Sequence, residues 1–416
     1  MVKSGQVQVT KDGVALRNIV KNDYFGERSV LSNDMRTASV ISVGESECWV
    51  LHQADFLTIV DESISKMLIK RIQLQDDSIT LGDLSIVKVL GKGMFGCVFL
   101  VVHKVKKSLY ALKTVQRRKI RMFDISENLQ LERRLLLQID NIFVMKLVKT
   151  FKDDRRIYFL TEFVNGQDLF DVIRVLGLLK ESECKFYSAC MLLILEHLHE
   201  KGIVYRDLKP ENVMVDEQGY PKLIDFGTAK LISGRTFTIV GTPHYMAPEV
   251  VLGKGYGLPA DIWSLGIMLY EFICGGVPFG EEDEDPFAIY DKILHETLRY
   301  PASLPKGNPT RMFIEALLNK NPAVRSIGGI PKLKEQKWFF QFDWVGTRQE
   351  KLSLKMLTPP LVPKTKDLTD EISRGIGRRD TLESIIEVQS TQEEEAIDDT
   401  PTQEEHPEPP GWDKEF

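Results

Sequence analysis

The spacing of apolar residues divides the first part of the chain into short strands followed by a helix. Apolar positions alternate or run together in GQVQV, VALRNIV, RTASVISV and CWVLH, which is typical of strands, and Asp12-Gly13 is a common hairpin turn. The next segment, ADFLTIVDESISKMLIKRIQLQ, repeats its apolar residues with the period of one helix face. The pattern predicts a β module over residues 1–64, a helical linker over 65–83 and a new domain from Leu84.

A further change in pattern separates two lobes within residues 84–342. Strand-like runs dominate to about Phe159, and helical periodicity dominates after it. A β-rich lobe joined to a helical lobe places the chain in the α+β class. From Thr358 onward the chain is rich in Pro, Thr and acidic residues, as in TQEEEAIDDTPTQEEHPEPP. Such a composition buries too little apolar surface to fold alone, so residues 343–416 are predicted to be a largely disordered tail that ends in GWDKEF.

Composition narrows the class of protein only slightly. The 416 residues, 43% hydrophobic and 27% charged, fit a soluble globular protein of more than one domain. The net charge of -6 argues against a nucleic-acid binder. The 5 cysteines are scattered without a CxxC pair, and no apolar run approaches the roughly 20 residues of a membrane span. We therefore expect a cytoplasmic protein without a transmembrane segment, and attachment to a membrane surface stays open.

A glycine-rich segment, a lysine and a glutamate form the first half of a candidate nucleotide site. LGKGMFGCV places Gly91, Gly93 and Gly96 between two strand-like runs, where missing side chains let backbone N–H groups approach a triphosphate. The same pattern also occurs in ordinary tight hairpins. Downstream, YALK carries Lys113 on an alternating strand, and LERRLLLQI carries Glu132 on an amphipathic helix, where it can pair with the ammonium. A solvated surface glutamate is the alternative interpretation.

The segments YRDLKPEN and LIDFG supply the second half of this site. Asp207 can accept the proton of an attacking hydroxyl, Lys209 can neutralise a transferring phosphoryl group, and Asn212 is an uncharged oxygen ligand for Mg²⁺. Asp225 offers a carboxylate that can bridge metal and phosphates. Each residue alone has an ordinary structural explanation, but the ordered series is specific.

This ordered series resembles the signature of the eukaryotic protein kinases. The resemblance implies a bilobal fold, ATP as co-substrate and Mg²⁺ as cofactor. It implies nucleotide contacts from Leu90, Gly91, Lys92, Gly93, Met94, Phe95, Gly96, Cys97, Val98, Lys113, Glu132, Thr161, Glu162 and Val164. Among these, Thr161 falls at the gatekeeper position, and Glu162 and Val164 fall where the hinge backbone contacts adenine. It also implies catalytic roles for Asp207, Lys209 and Lys113, and metal-ligand roles for Asn212 and Asp225.

The activation segment narrows the resemblance to the AGC branch of serine/threonine kinases. In GRTFTIVGTPHYMAPE, Thr238 falls where those enzymes are phosphorylated, and a phosphate there would lie beside Arg206 and order the loop. Asp168, Glu211 and Glu271 fall where basophilic members carry the carboxylates that receive substrate arginine or lysine. The expected substrates are therefore proteins with Ser/Thr in basic sequences.

Other positions of the large lobe and the tail fit the same branch. Glu249 would pair with Arg325 to brace the helical lobe, and Asp261 would anchor the catalytic loop. GWDKEF resembles the C-terminal aromatic motif of AGC kinases, which implies that Trp412 and Phe416 fold back onto the small lobe. The tail lacks a clear Asn-Phe-Asp element, which usually completes the adenine pocket.

The segment FGERSVLSNDMRTASV is the sharpest feature outside the kinase core. A strand, turn and helix with Gly26 and Glu27 at the start and Arg36 at the end can hold a cyclic phosphate on backbone N–H groups and the guanidinium. This resembles the phosphate-binding cassette of cyclic-nucleotide-binding domains. Thr37 matches the Arg-Thr-Ala pattern of cGMP-selective cassettes. The resemblance therefore extends to cGMP-dependent protein kinases of apicomplexan type, with cGMP as the allosteric ligand.

The sensor is short for such a domain, which is a β-roll of about eight strands. A partial β-roll is expected, so that the chain begins inside its sensor and responds weakly or not at all to cGMP. No dimerising heptad run is present, and a monomer is expected. Two alternatives stay open: a cAMP-type or constitutively active AGC kinase, and a non-catalytic cyclic-nucleotide-binding scaffold.

Overall fold

The computed structural model describes residues 1–11, 13–20, 24–26, 29–30, 38–59, 69, 74, 79–139, 141–342, 344, 368–377, 386, 406 and 408–416. They form an N-terminal β module, a β-rich small lobe, a helical large lobe and tail segments that pack on the small lobe. The predicted α+β class and the two lobes are confirmed. In the part of the chain so described, none of the helices has both the length and the hydropathy of a membrane span.

The N-terminal module is antiparallel. It contains β1 (Val2–Ser4), β2 (Val7–Lys11), β3 (Val14–Ile19), β4 (Ser39–Ser42), β5 (Glu47–Cys48) and then α1 (Gln53–Ile59). Strand β2 lies between β3 and β4, and β1 pairs with β5. Pairing of β2 with β3 continues to Lys11 and Val14, which agrees with a hairpin between them; Asp12 of the predicted turn lies outside the described residues. Val2, Val7 and Ile19 form the buried cluster of this module.

The small lobe consists of a five-stranded antiparallel sheet and two helices. Its strands are β6 (Leu84–Gly93), β7 (Gly96–His103), β8 (Leu109–Gln116), β9 (Leu147–Lys152) and β10 (Arg156–Glu162), and its helices are α2 (Arg117–Phe123) and α3 (Ser126–Gln138). The strand order is β6-β7-β8-β10-β9. Every residue of β10 is buried, including the charged residues Arg156 and Glu162 at its two ends.

The hinge enters the large lobe through short strands. These are β11 (Gly166–Asp168), β12 (Ile203–Val204), β13 (Val213–Asp216), β14 (Pro221–Leu223) and β15 (Lys230–Leu231), which form the sheets β11-β13-β14 and β12-β15. Gly166 lies so close to β13 that a Cβ there would collide with the carbonyl oxygen of Val215. The absence of a side chain therefore lets the hinge run directly along the large lobe.

Helices make up the rest of the large lobe. They are α4 (Leu169–Leu176), α5 (Glu181–Glu200), α6 (Pro248–Val251), α7 (Pro259–Cys274), α8 (Pro286–His295), α9 (Pro309–Leu317), α10 (Pro322–Arg325) and α11 (Gly329–Lys334). Asp285, Asn308 and Asn321 cap α8, α9 and α10, each followed by proline in the first helical turn. The predicted pair of Glu249 and Arg325 is present as a buried ion pair.

The tail contains a helix, α12 (Thr369–Gly377), which the composition did not predict. Leu368 and Ile372 pack on Val87 of β6 and its neighbours in the sheet. A Cβ at Gly375 would lie 3.0 Å from the carbonyl oxygen of Ile86, so the helix sits directly on the strand. This segment is ordered because the sheet buries its apolar face, a contact that composition alone does not reveal. Most of the predicted helical linker at 65–83 lies outside the described residues.

Candidate active site

The glycine loop is the turn between β6 and β7. Gly93 and Gly96 are paired across the two strands, with Met94 and Phe95 at the tip. Met94 is 68% exposed, so the tip stands in solvent. A Cβ at Gly96 would collide with the carbonyl oxygen of Thr114, whereas one at Gly91 would meet nothing within 4 Å. The close packing of β7 on β8 therefore requires glycine at position 96. At position 91 the missing side chain leaves the backbone accessible to a ligand.

The lysine and two carboxylates predicted to act on phosphates lie together in the cleft. Nζ of Lys113 is 2.7 Å from Oε1 of Glu132 and 3.7 Å from Oδ1 of Asp225. Glu132 is buried on α3, so its carboxylate is held in place by the helix. Although burial opposes a charge on Lys113, the carboxylates of Glu132 and Asp225 raise its pKa above the usual value. The ammonium is thus available to bind phosphate oxygens.

The catalytic loop brings its predicted residues within hydrogen-bonding distance of each other. Nδ2 of Asn212 donates to the carbonyl oxygen of Asp207 at 2.8 Å and to its Oδ2 at 3.0 Å. Nζ of Lys209 is 3.1 Å from the same Oδ2. The other carboxylate oxygen, Oδ1, accepts from the backbone N–H of Thr242 at 2.9 Å and from its hydroxyl at 2.8 Å. Thr242 was missed in the sequence, where GTPHYMAPE was the signal available for it.

The loop itself is anchored from below by Asp261, as predicted. Its fully buried carboxylate accepts the backbone N–H of Tyr205 at 2.9 Å and that of Arg206 at 2.8 Å, and lies 2.8 Å from Nε2 of His199. Arg206 has φ of 74°, a conformation that is costly for a side chain other than glycine. The two hydrogen bonds to Asp261 hold the backbone in this conformation next to Asp207.

The donors available for a metal are oxygen atoms. Asp225 lies beside the cleft, more than half of its side chain is exposed, and its Oδ1 accepts the N–H of Gly227 at 3.0 Å. With the amide of Asn212 it offers the hard oxygen ligands that suit Mg²⁺. No group of three or more His, Cys, Asp and Glu that could hold a metal occurs among the described residues.

The hinge residues are buried and tied to neighbouring strands. Thr161 is 5% exposed, and its hydroxyl lies 3.4 Å from the carbonyl oxygen of Ala111. The N–H of Glu162 donates to the carbonyl oxygen of Lys146 at 2.9 Å, so a backbone contact from Glu162 to adenine has to come from its carbonyl. Its side chain pairs with Lys222 of β14, a partner that the sequence motifs do not indicate.

The activation segment presents Thr238 to solvent. The hydroxyl of Tyr256 donates to the carbonyl oxygen of Thr238 at 2.7 Å. Nη1 of Arg206 is buried and has no hydrogen-bond partner in the described part of the chain, and Nζ of Lys230 lies 3.3 Å from the hydroxyl of Thr236. Lys230 therefore offers a cation to a phosphate on this segment. Lys230 was missed in the sequence because a single lysine after Asp-Phe-Gly carries no pattern.

The three carboxylates predicted to receive basic substrates differ in their surroundings. Glu271 is half-buried and accepts from the hydroxyl of Tyr245 at 2.7 Å, while Glu211 is exposed. Burial and the negative charges of Glu211 and Glu281 raise the pKa of Glu271. These carboxylates thus form one acidic group, to which the sequence did not assign Glu281. Asp168 also caps α4 by accepting the N–H of residue 171 at 2.8 Å.

The C-terminal residues dock on the small lobe as predicted. Trp412 is 7% exposed, and the ring of Phe416 lies 5.6 Å from that of Phe159 in β10. Arg117 of α2 forms ion pairs with Glu408 and Asp413, which lie on either side of Trp412 in the sequence. The acidic character of the tail therefore matches a basic surface on the small lobe.

The sensor residues lie largely outside the described part of the chain. Gly26 has φ of 90°, a conformation that favours glycine. Its carbonyl oxygen accepts from the hydroxyl of Ser29 at 3.0 Å. Glu27, Arg36 and Thr37 fall outside the described residues, so their predicted contacts with cGMP stay predictions.

Comparison with known families and proteins matches both parts of the chain. Residues 84–339 match the family model of the protein kinase domain, and residues 1–63 match that of the cyclic nucleotide-binding domain. A cGMP-dependent protein kinase of Plasmodium berghei (strain Anka) is 45% identical over 376 residues, covering 89% of this chain and 43% of the relative. One from Toxoplasma gondii is 42% identical over 390 residues, covering 93% and 39%, respectively. Isozyme 1 of the Drosophila melanogaster cGMP-dependent protein kinase is 34% identical over 411 residues, covering 89% and 52%.

The chain thus spans about two-fifths of the length of the Plasmodium and Toxoplasma relatives. The match to the kinase model covers more than half of the chain and includes both lobes and the whole cleft described above. The chain belongs to the protein kinase family and carries a cyclic nucleotide-binding segment ahead of its kinase domain.

Proposed function

We propose that this chain transfers the γ-phosphate of ATP to serine or threonine in basic protein sequences, and that cGMP is the allosteric ligand of its N-terminal segment with a weak effect or none on the transfer. The observation that carries the proposal is that Lys113, Glu132 and Asp225 lie beside the loop of Asp207, Lys209 and Asn212. The backbone N–H of Ile224, next to Asp225, donates to the carbonyl oxygen of Asn212 at 3.0 Å and so joins the two groups. The domain division proposed is 1–64 for the sensor, 65–83 for the linker, 84–342 for the kinase and 343–416 for the tail.

In the proposed reaction, each residue acts on charge or on a proton. Lys113, kept cationic by Glu132, binds phosphate oxygens and orients ATP. Asp207 accepts the hydroxyl proton of the substrate, and Lys209 offsets negative charge on the transferring phosphoryl group. Asn212 and Asp225 would hold Mg²⁺, which neutralises the phosphates when it is bound.

The preference for basic substrates is proposed from the acidic group at Glu211 and Glu271. A positively charged side chain placed there would be attracted by both carboxylates. The exposure of Thr238 supports phosphorylation at that residue, and Nζ of Lys230 lies 3.3 Å from the hydroxyl of Thr236, two residues earlier in the same segment.

The proposed cGMP response draws on the match of residues 1–63, on the Arg36-Thr37 pattern and on the names of the relatives. A hydroxyl at Thr37 can bond the amino group of guanine, which adenine lacks at that position. We further propose that the chain is cytoplasmic and that it is a monomer. Light scattering measures its oligomeric state.

The test is phosphorylation of a basic serine peptide by the purified chain, with Asp207→Asn as the inactive control. We expect phosphate transfer that requires ATP and Mg²⁺ and is lost in Asp207→Asn. Transfer that persists in this variant, or none in the wild-type chain, would count against the proposed activity. Calorimetric titration with cGMP and cAMP, repeated on Thr37→Ala, tests the ligand: we expect preference for cGMP and its loss in the variant.

A further inference from the structure

A buried ion pair connects the hinge to the large lobe. Glu162 is the last residue of β10, and its Oε1 pairs with Nζ of Lys222 on β14, 60 residues later in the chain. The side chains are 7% exposed for Glu162 and 17% exposed for Lys222, so both charges are shielded from water. Shielding makes their mutual attraction strong and makes the loss of either partner costly.

The position of Lys222 is set by the backbone on both sides of it. Met214 of β13 lies directly opposite Lys222 in the antiparallel pair, so the two side chains share one face of the sheet. The next residue, Leu223, donates its N–H to the carbonyl oxygen of Phe143 at 2.7 Å, and its own carbonyl accepts from Met145 at 2.9 Å. The ammonium therefore approaches Glu162 from a fixed strand.

Glu162 is held at the backbone as well. Its N–H donates to the carbonyl oxygen of Lys146 at 2.9 Å, which leaves its carbonyl for adenine. The direction of this carbonyl depends on the peptide plane after Glu162, and the side chain of the same residue is fixed by Lys222. The ion pair thus acts on the peptide that faces the base.

We propose that Lys222 is a positioning residue for the adenine of ATP: by neutralising the buried carboxylate of Glu162, it holds the hinge backbone in the arrangement that receives the base. This inference rests on the proposed function, because it takes the cleft to be an ATP site. Without the ammonium, the carboxylate turns toward water and shifts the hinge. Lys113, which binds phosphate, and Asp207, which accepts the substrate proton, are held by other contacts, so nucleotide affinity falls and kcat does not.

The experiment compares Lys222→Met with Lys222→Arg and with the double variant Glu162→Gln/Lys222→Met. The readouts are the Kd for ADP by calorimetry, and the KM for ATP, the KM for peptide and kcat. We expect Lys222→Met to raise the Kd for ADP and the KM for ATP about tenfold, since loss of one partner of a shielded pair is costly. Lys222→Arg restores both because it keeps the charge, and the double variant recovers most of the affinity because no unpaired carboxylate is left.

The matched control is Lys332→Met, which removes a lysine of α11 from an exposed ion pair with Glu335. We expect no change in any of the constants for this variant. A Kd for ADP in Lys222→Met equal to that of the wild-type chain would overturn the proposal, as would a parallel loss of kcat and peptide affinity. If Lys222→Met does not fold, the double variant decides the question. A double variant that binds ADP about tenfold more weakly than the wild-type chain would also overturn the proposal.

ADP binding is measured without turnover, so it decides the role of Lys222 separately from the activity. A wild-type chain that binds ADP and phosphorylates no peptide would count against the proposed function alone. A chain that phosphorylates peptide and shows unchanged affinity in Lys222→Met would count against the hinge role alone.

Discussion

Thr242 donates both its backbone N–H and its hydroxyl to the same carboxylate oxygen of Asp207, at 2.9 and 2.8 Å. Its hydroxyl also lies 2.7 Å from Nζ of Lys209. The candidate base is therefore oriented by a residue of the activation segment. Any displacement of this segment alters the direction of the carboxylate and the position of the lysine together.

Replacement of Thr242 by alanine should lower kcat by about tenfold, because the hydroxyl bond from Thr242 to Asp207 is lost and only its backbone N–H bond remains. The KM for ATP should change little, since Thr242 does not touch the glycine loop or the hinge. Steady-state kinetics with a basic peptide measures both constants. Thr242→Ser keeps the hydroxyl and should keep most of the rate. Equal losses in the alanine and serine variants would contradict this role for the hydroxyl.

The affinity for basic peptides should depend on pH through Glu271. Burial raises the pKa of this carboxyl, with further increases from Glu211 and Glu281. As the pH falls through that raised pKa, Glu271 takes up a proton and loses its attraction for a basic side chain. The KM for peptide should therefore rise toward acid pH.

Glu271→Gln should raise the KM for peptide at neutral pH and flatten its pH dependence, while the KM for ATP follows the wild-type profile. The measurement is the KM for peptide across a series of buffers of equal ionic strength. A peptide without basic residues serves as the control substrate. If the variant and the wild-type chain show the same profile, another group is responsible.

Loss of the docked tail should weaken the small lobe. Trp412 is buried, and its carbonyl accepts a hydrogen bond from Gln130 of α3, the helix that carries Glu132. Trp412→Ala should lower the free energy of unfolding by about 3 kcal/mol, which is at the low end of the losses found when a buried tryptophan is replaced by alanine. It should also lower kcat, because α3 loses its contact with the tail. Lys414→Ala, at an exposed position of the same segment, should behave as the wild-type chain.

Thermal unfolding and kcat, measured together, test this prediction. High salt should lower the Tm of the wild-type chain more than that of Trp412→Ala, because ion pairs such as Arg117 with Glu408 matter only while the tail is docked. A Trp412→Ala variant with unchanged Tm and rate would show that the tail contributes nothing to the small lobe.

Replacement by alanine should have different effects at two glycines of the glycine loop. Gly96→Ala places a methyl group against the carbonyl of Thr114 and should lower the Tm, whereas Gly91→Ala meets no atom within 4 Å and should leave it unchanged. The expected loss for Gly96→Ala is about 2 kcal/mol, from displacement of the strand. Differential scanning calorimetry of both variants without nucleotide separates this effect from ATP binding. Equal Tm values would contradict the packing role of Gly96.

Residues whose chemistry is carried by a local motif could be predicted from the sequence. Asp207, Lys209 and Asn212 stand within one loop, and the backbone of that loop brings them together whatever surrounds it. The strands of the small lobe were equally readable, because burial on both faces or on one face leaves its own spacing of apolar residues. The ordered helix α12 could not be predicted, since its apolar face is buried only by contact with β6.

What the sequence by itself determined is the set of reactive groups and the division into sensor, lobes and tail, because those depend on residue type and on spacing along the chain. The tertiary structure decided which groups meet: Thr242 with Asp207, and Lys222 with Glu162. Such partners are separated by many residues and leave no periodic signal. Their contacts exist because the folded lobes place distant strands and loops side by side, and burial there turns a nearby charge or hydroxyl into a specific partner.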